Sequence, residues 1–313
     1  MYILGIDSST ERVSIALNSD RQLLSKVEYG KNQNYMVSII SLIDKALKKA
    51  NFSLDFVDLF AVNIGPGDFT GTRIGISVAK TLAWIGSKPI CGIGSLDIIA
   101  LGIFFKNLKK IQKLLEEGNK TIILPVLDVK RNEVFFSFFK VGKSGTGMAT
   151  NSLKSQNSED KHSEFKIHNI LDITAQNKNY FINKVSDGYL AESKDFAKKI
   201  SALFVPDDGF STYILLGGSG FGGCNHLESE VRELSGLHSG SLISLLTSID
   251  KRTYFPDAFH LNLCAYYSYL KNRQKGPEKV KSAGQGNSDT SDNYLDDYGL
   301  APLYVREFTP FKK

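Results

Sequence analysis

The apolar positions at the start of the chain fall in three short runs, residues 2–6, 13–17 and 23–29, separated by the polar stretches D-S-S-T-E-R and N-S-D-R. That spacing predicts a β-meander. From residue 34 to 50 the period changes. Met36, Ile40, Ile43 and Leu47 recur at steps of three and four, and Lys45, Lys48 and Lys49 occupy the last turns, where they complement the helix dipole. Tyr35, Ile39, Leu42 and Ala46 add a second apolar stripe to this helix, more than one core-facing side requires. Residues 56–63 then predict a strand, 72–85 a helix, 90–93 a strand and 95–105 a third helix, giving the order βββαβαβα. Strand, helix and strand in succession imply parallel pairing through right-handed crossovers.

An internal echo suggests a second lobe. I-L-G-I-D at residues 3–7, followed by the run at 13–17, is repeated as I-L-P-V-L-D at 123–128 followed by 133–139. The expected organisation is a first α/β lobe over 1–104, a reduced second lobe over 119–255 with an insertion at 142–163, a helix over 256–274 that packs back on the first lobe, and a tail over 294–313. Residues 142–163 and 275–293 are rich in Gly, Ser, Asn and Lys, with too little apolar surface to order themselves. Segment 105–119 reads as a short amphipathic, lysine-rich helix, an insertion that is likewise expected to be mobile decoration.

Composition narrows the class. Of 313 residues, 42% are hydrophobic and 23% charged, an ordinary globular balance, and the net charge of +5 is modest. Cys91, Cys224 and Cys264 are too few and scattered for a disulfide framework and form no C-x-x-C pair, which fits a reducing cytoplasm. The start M-Y-I-L-G-I-D has no basic leader, and the richest apolar window, residues 90–105, is too short to span a bilayer, so no membrane role is expected.

The densest candidate chemistry is G-P-G-D-F-T-G-T-R-I-G-I-S-V-A-K, residues 65–80, where a strand ends and a helix begins. Its glycines would suit an anion at a helix N-terminus, although no Walker Gly-Lys-Ser/Thr follows. They would equally suit a tight turn around Pro66 with Asp68 or Thr70 as N-cap. Inside the helix, Gly71, Gly75, Ala79 and Ala83 recur every four residues, and an interior Gly costs ~1 kcal/mol against Ala, so another backbone is expected close by at Gly75. Arg73 in the first turn opposes the macrodipole and calls for a carboxylate on this chain or a partner. With the surplus stripe Tyr35, Ile39, Leu42 and Ala46, these residues predict a helical interface with another protein.

The element order resembles one lobe of the actin-like (ribonuclease H-like) and sugar-kinase superfold. The motif at 65–75 is similar to the G-P-G-S-F-T-G and Arg-Ile-Gly pattern of the TsaB family, which serves bacterial tRNA threonylcarbamoyladenosine synthesis, with Asp68 where Ser is usual and Thr72 where an apolar residue is usual. I-L-G-I-D-S-S-T at 3–10, G-S-L-D at 94–97, D-V-K-R-N-E-V-F at 128–135 and P-L-Y-V-R at 302–306 add to the resemblance. It implies a noncatalytic subunit whose first two helices pack on the catalytic paralogue TsaD, or on a second copy when TsaD is absent. The ATPase TsaE would complete the assembly, and tRNA would be met only indirectly. It implies no cofactor of the chain's own, with ATP or ADP at most at the partner interface.

Other readings remain open on the residues. Asp7, Ser9 and Thr10 in the first hairpin and Gly217 and Gly218 in L-L-G-G-S-G could hold a nucleotide, making the chain an ATPase or kinase. A metal site of the catalytic paralogue's type needs paired histidines, and His162, His168, His226, His238 and His260 form no H-x3-H or H-x4-H pair. No peptidase constellation is legible, and no metal or catalytic residue is expected. The lysines at 106, 109, 110 and 113 could meet tRNA directly, which would make binding salt-dependent.

Overall fold

The strands β1 (Tyr2–Asp7), β2 (Arg12–Ser19) and β3 (Gln22–Gly30) form the antiparallel meander that the opening pattern predicts. On its other edge β1 pairs in parallel with β4 (Leu59–Gly65), and β4 with β5 (Ile90–Gly94), giving the order β3-β2-β1-β4-β5. β4 is buried at every position, as a central parallel strand covered on both faces must be. Alternation along β1 divides the helices between these faces. Leu4 and Ile6 enter one core with Ile39, Leu42 and Ile43 of α1 (Tyr35–Lys49) and Ile76, Ala79 and Ala83 of α2 (Phe69–Gly86). Gly5, on the opposite face, lies against Asn262. The α2 helix begins three residues before the predicted start because Asp68 caps it, its carboxylate accepting from the Gly71 amide at 2.7 Å.

This is the computed structural model of the chain, and it describes residues 1–30, 35–129, 132–143, 168–175, 178–185, 188–196, 198, 200, 212–220, 227, 243–247, 255–274 and 300–302. The chain divides into two units, Met1–Gly102 with Phe255–Lys313, and Ile103–Tyr254. Most of the insertion at 142–163 and all of 275–293 lie outside the described residues. The helix predicted at 256–274 is here α5, Ala258–Gln274, and it packs on β1, β2, β4 and β5 of the first unit.

The second unit repeats the strand plan of the first. β6 (Lys120–Asp128) pairs antiparallel with β7 (Glu133–Phe136) and β8 (Phe139–Lys143), which continue one register and so act as a single return strand interrupted at Ser137 and Phe138. β8 pairs antiparallel with β10 (Lys178–Lys184), as β2 does with β3. β6 pairs in parallel with β12 (Thr212–Gly217), and β12 with β13 (Ile243–Thr247). The core order β10-β8-β6-β12-β13 thus matches β3-β2-β1-β4-β5 in both sequence of strands and sense of pairing. β9 (His168–Ala175) and β11 (Tyr189–Glu192) extend the second sheet.

Helix α3 (Ser95–Lys106) runs across the boundary between the units. Segment 105–119 forms the predicted short amphipathic helix, α4 (Leu108–Glu116), but not as mobile decoration: Leu108, Ile111 and Leu114 are buried while Lys109, Lys110 and Lys113 face outward. Three apolar residues at three-residue steps suffice to dock a helix of this length on β6.

Candidate functional site

The site is the meeting of two turns, the β1–β2 turn of Asp7, Ser8, Ser9 and Thr10 and the β4–α2 loop that begins at Gly65. Gly65 takes a φ of +97°, the bond to Pro66 is cis, and the chain beyond it lies against the β1–β2 turn. There the Asp68 amide donates to the Ser9 carbonyl at 2.5 Å, and the Ser8 hydroxyl donates to the Gly71 carbonyl at 2.7 Å. The glycines are dictated by this contact. A Cβ at Gly67 would strike the Ser9 carbonyl, one at Gly71 the Ser8 carbonyl, and one at Gly75 the Ser8 hydroxyl. What lies close at Gly75 is the Ser8 side chain of the chain's own first hairpin; the close backbone expected there is met instead at Gly67 and Gly71.

Beneath the contact lies a buried polar network. Asp7 Oδ1 accepts from the Ser9 amide at 3.0 Å, the Ser9 hydroxyl at 2.8 Å and Asn63 Nδ2 at 3.1 Å. Asn63 Oδ1 accepts from the Gly65 amide at 2.8 Å, and the Ser95 hydroxyl lies 2.9 Å from Asn63 Oδ1 and 2.7 Å from the Pro66 carbonyl. Asp7 Oδ2 is buried with no partner. Burial pushes the Asp7 carboxyl up to about 7, against the lowering effect of its Ser9 and Asn63 hydrogen bonds. Asn63 and Ser95 were not among the residues singled out from the sequence. The available signal was a lone amide in the otherwise apolar strand L-F-A-V-N-I-G.

In the first hairpin the residues named for a nucleotide face inward. Asp7 and Ser9 are fully buried and Thr10 nearly so; apart from Asp7 Oδ2, their side-chain polar groups bond one another, Asn63 or the Arg12 backbone. Residues 67–71 pack against one side of this turn. In the second unit, Gly217 pairs with Pro125, and Gly218 sits at a φ of +121° where a Cβ would strike the Val126 carbonyl. The Ser219 hydroxyl accepts from the Asp128 amide at 3.1 Å. Here the glycines serve the close packing of a turn on β6.

The structure corrects the predicted interface. Ile39, Leu42, Ala46, Gly71, Gly75, Ala79 and Ala83 are all buried against the first sheet and its β1–β2 turn, so they have no surface to offer another protein. Of the remaining two, the Tyr35 side chain lies outside what the structure describes, and Arg73 is exposed with its guanidinium 3.6 Å from the Phe69 ring centre. That cation–π contact gives Arg73 a favourable neighbour despite its place in the first turn. The outer sides of the two helices carry Ile40 at 65% exposure, Trp84 and Ile85 at 69% each, and Phe69 at 48%.

His260 is part of a structural cluster in the first unit. Asp257 caps α5 through the Phe259 and His260 amides, while its second oxygen lies 2.8 Å from His260 Nδ1 and 3.7 Å from Lys26 Nζ. Burial would raise the Asp257 carboxyl, but His260 and Lys26 outweigh it and hold it well below the usual carboxylate range. No group of three His, Cys, Asp or Glu side chains able to hold a metal occurs among the described residues, and no described helix is long and apolar enough to cross a membrane.

A family model for TsaD, the tRNA N6-adenosine threonylcarbamoyltransferase, matches residues 23–153. The tRNA threonylcarbamoyladenosine biosynthesis protein TsaB of Buchnera aphidicola subsp. Schizaphis graminum is 31% identical over 167 residues, which cover 52% of this chain and 74% of that protein. The chain belongs to the TsaB family. TsaB of Escherichia coli K12 is 30% identical over 145 residues, 46% of this chain and 58% of its own length. The matched stretch spans only a little over half of several of these TsaB proteins, those of Bacillus subtilis and Haemophilus influenzae included. A Pseudomonas aeruginosa crystal structure, described as an uncharacterized protein with similarity to peptidase YEAZ, superposes with a TM-score of 0.58 at 17% identity, covering 97% of this chain and 99% of that one. It supports an α/β fold built of two units.

Proposed function

We propose that the chain is a noncatalytic, cytoplasmic subunit that binds a TsaD-type transferase through the outer sides of α1 and α2. In doing so it supports transfer of threonylcarbamoyl to the adenosine beside the tRNA anticodon. The observation that carries this reading is the exposure of Ile40, Trp84 and Ile85 on adjacent helices whose inner sides are already committed to the core. Single exposed apolar residues need no explanation, but an indole and two isoleucines exposed on one helical pair, with the Arg73–Phe69 stack at the start of α2, have the composition of an interface. A noncatalytic role agrees with the packing of residues 67–71 against the first-hairpin turn. In the absence of the transferase the same surface would pair two copies of the chain, and a TsaE-type ATPase would join the larger assembly.

Reconstitution tests this. The TsaD-type enzyme, supplied with threonylcarbamoyl-AMP and tRNA, should modify tRNA efficiently only when this chain is added, and the chain alone should modify none. The alternative, a nucleotide-dependent enzyme acting through Asp7 and the Gly217 turn, requires submillimolar Mg-ATP binding by the isolated chain in a calorimetric titration. Such binding, together with modification that does not depend on this chain, would overturn the proposal.

A further inference from the structure

At the opposite end of β1 from Asp7, a cleft of about 640 Å³ is lined by Tyr2, Asn51, Phe52, Ser53, Asp55, Phe56, Asp58 and Lys88. Its wall is an aromatic ladder, with Tyr2 and Phe52 ring centres 4.6 Å apart and Phe52 and Phe56 6.1 Å apart. Phe56 ends the ladder with 66% of its surface exposed. Asp55 is held by the Ser53 hydroxyl at 3.3 Å, and Asp58 Oδ2 accepts from the Tyr2 amide at 2.7 Å. The cleft also lies just past the C-terminal ends of both α1 and α2, since Asn51 follows the first and Lys88 the second. Two helix ends of negative dipole, two carboxylates and an open aromatic face all favour a cation.

The lysines that close α1 do not cancel this field locally. Lys48 pairs with Asp44 at 2.7 Å, and Lys49 reaches the Lys26 carbonyl at 3.3 Å. Lys88 is the one basic residue of the lining, which leaves the cleft with an excess of one negative charge over a chain of net charge +5. A planar guanidinium fits such a place better than an ammonium, because it can stack on Phe56 while its N–H fork meets carboxylates at the rim. Lys88 can then donate to a main-chain carbonyl of the same ligand. We propose that this cleft binds an arginine side chain presented by an extended segment of a partner protein. The proposal is independent of the α1–α2 reading, since it uses none of Ile40, Trp84 or Ile85.

The test uses the full chain and three blocked tripeptides, acetyl-Gly-Xaa-Gly-amide with Xaa as arginine, lysine or citrulline, followed by NMR titration. Citrulline keeps the shape of arginine and removes its charge. The arginine peptide should bind most tightly, and Phe56→Ala and Asp55→Asn should each weaken it about two- to fivefold, the range for exposed cation–π and ion-pair contacts. Both residues are solvent-exposed, so thermal melts of the variants should match the parent. Citrulline or lysine binding as well as arginine, no binding at the solubility limit of the peptide, or arginine binding unchanged in both variants would each overturn the proposal.

Discussion

The Ser8 hydroxyl donates to the Gly71 carbonyl at 2.7 Å and occupies the space that Gly75, one turn further along α2, leaves by having no side chain. The glycines of the G-P-G-D-F-T-G segment thus join the start of α2 to the first hairpin of the same unit. They shape a closed contact with that hairpin.

Two alanine substitutions separate backbone from side-chain obstruction. Gly75→Ala meets only the Ser8 hydroxyl, whereas Gly71→Ala meets the Ser8 carbonyl. Alanine recovers ~1 kcal/mol of helix propensity at Gly75, against an overpacking cost of about 1–3 kcal/mol. Chemical denaturation should therefore find Gly71→Ala the more destabilising. Adding Ser8→Ala should rescue Gly75→Ala and leave Gly71→Ala unrescued, and equal rescue of both would refute the assignment.

Asp7 makes stability depend on pH. Its folded value of about 7 lies above the ordinary 3.8, so between those values the unfolded chain releases a proton that the folded chain keeps. Stability is fully present below about pH 4 as far as this group is concerned, and it is lost as pH rises through about 7. The loss is on the order of 4 kcal/mol by linkage. Asp7→Asn, a neutral side chain of the same shape, should remove this slope and melt above the parent at pH 8. An unchanged slope would show that Asp7 is ionised in the folded chain.

Asn262 ties α5 to the first sheet. Its Nδ2 lies 3.1 Å from the Ile3 carbonyl, 3.0 Å from that of Ala16 and 3.0 Å from Asn18 Oδ1, and Gly5 leaves room for its carbonyl. Asn262→Ala should cost about 2–4 kcal/mol, because it opens a gap and removes a buried donor. A denaturation midpoint within error of the parent would contradict this role.

Much of the architecture was legible because it follows from periodicity. The meander, the two crossover helices and the repeat beginning at residue 123 all appear as changes of hydrophobic period. What period cannot reveal is the identity of the surface that an apolar stripe meets. Ala79 and Ala83 look alike whether they face a sheet of the same chain or a helix of another, and here they face their own sheet. The stripe of Tyr35, Ile39, Leu42 and Ala46 misled for the same reason, since α1 at Ile39 and Leu42 lies on the core that holds Leu4 and Ile6. Asn63 and Asn262 were illegible for a different reason: single polar residues in apolar runs gain meaning only when distant strands bring them together. In α4 the amphipathic helix was legible from the spacing of Leu108, Ile111 and Leu114, but not that β6 would supply a surface for its apolar side.

The central claim is that the outer sides of α1 and α2, not their buried stripes, bind the transferase. It is tested most directly by measuring, through light scattering on a sizing column, association of a TsaD-type enzyme with the parent chain and with Ile40→Glu and Trp84→Glu. Both residues are mostly exposed, so both variants should fold with the parent's melting temperature and lose association by about a hundredfold, the loss expected when a charge is placed in an interface centre. Full association by both folded variants would contradict the account.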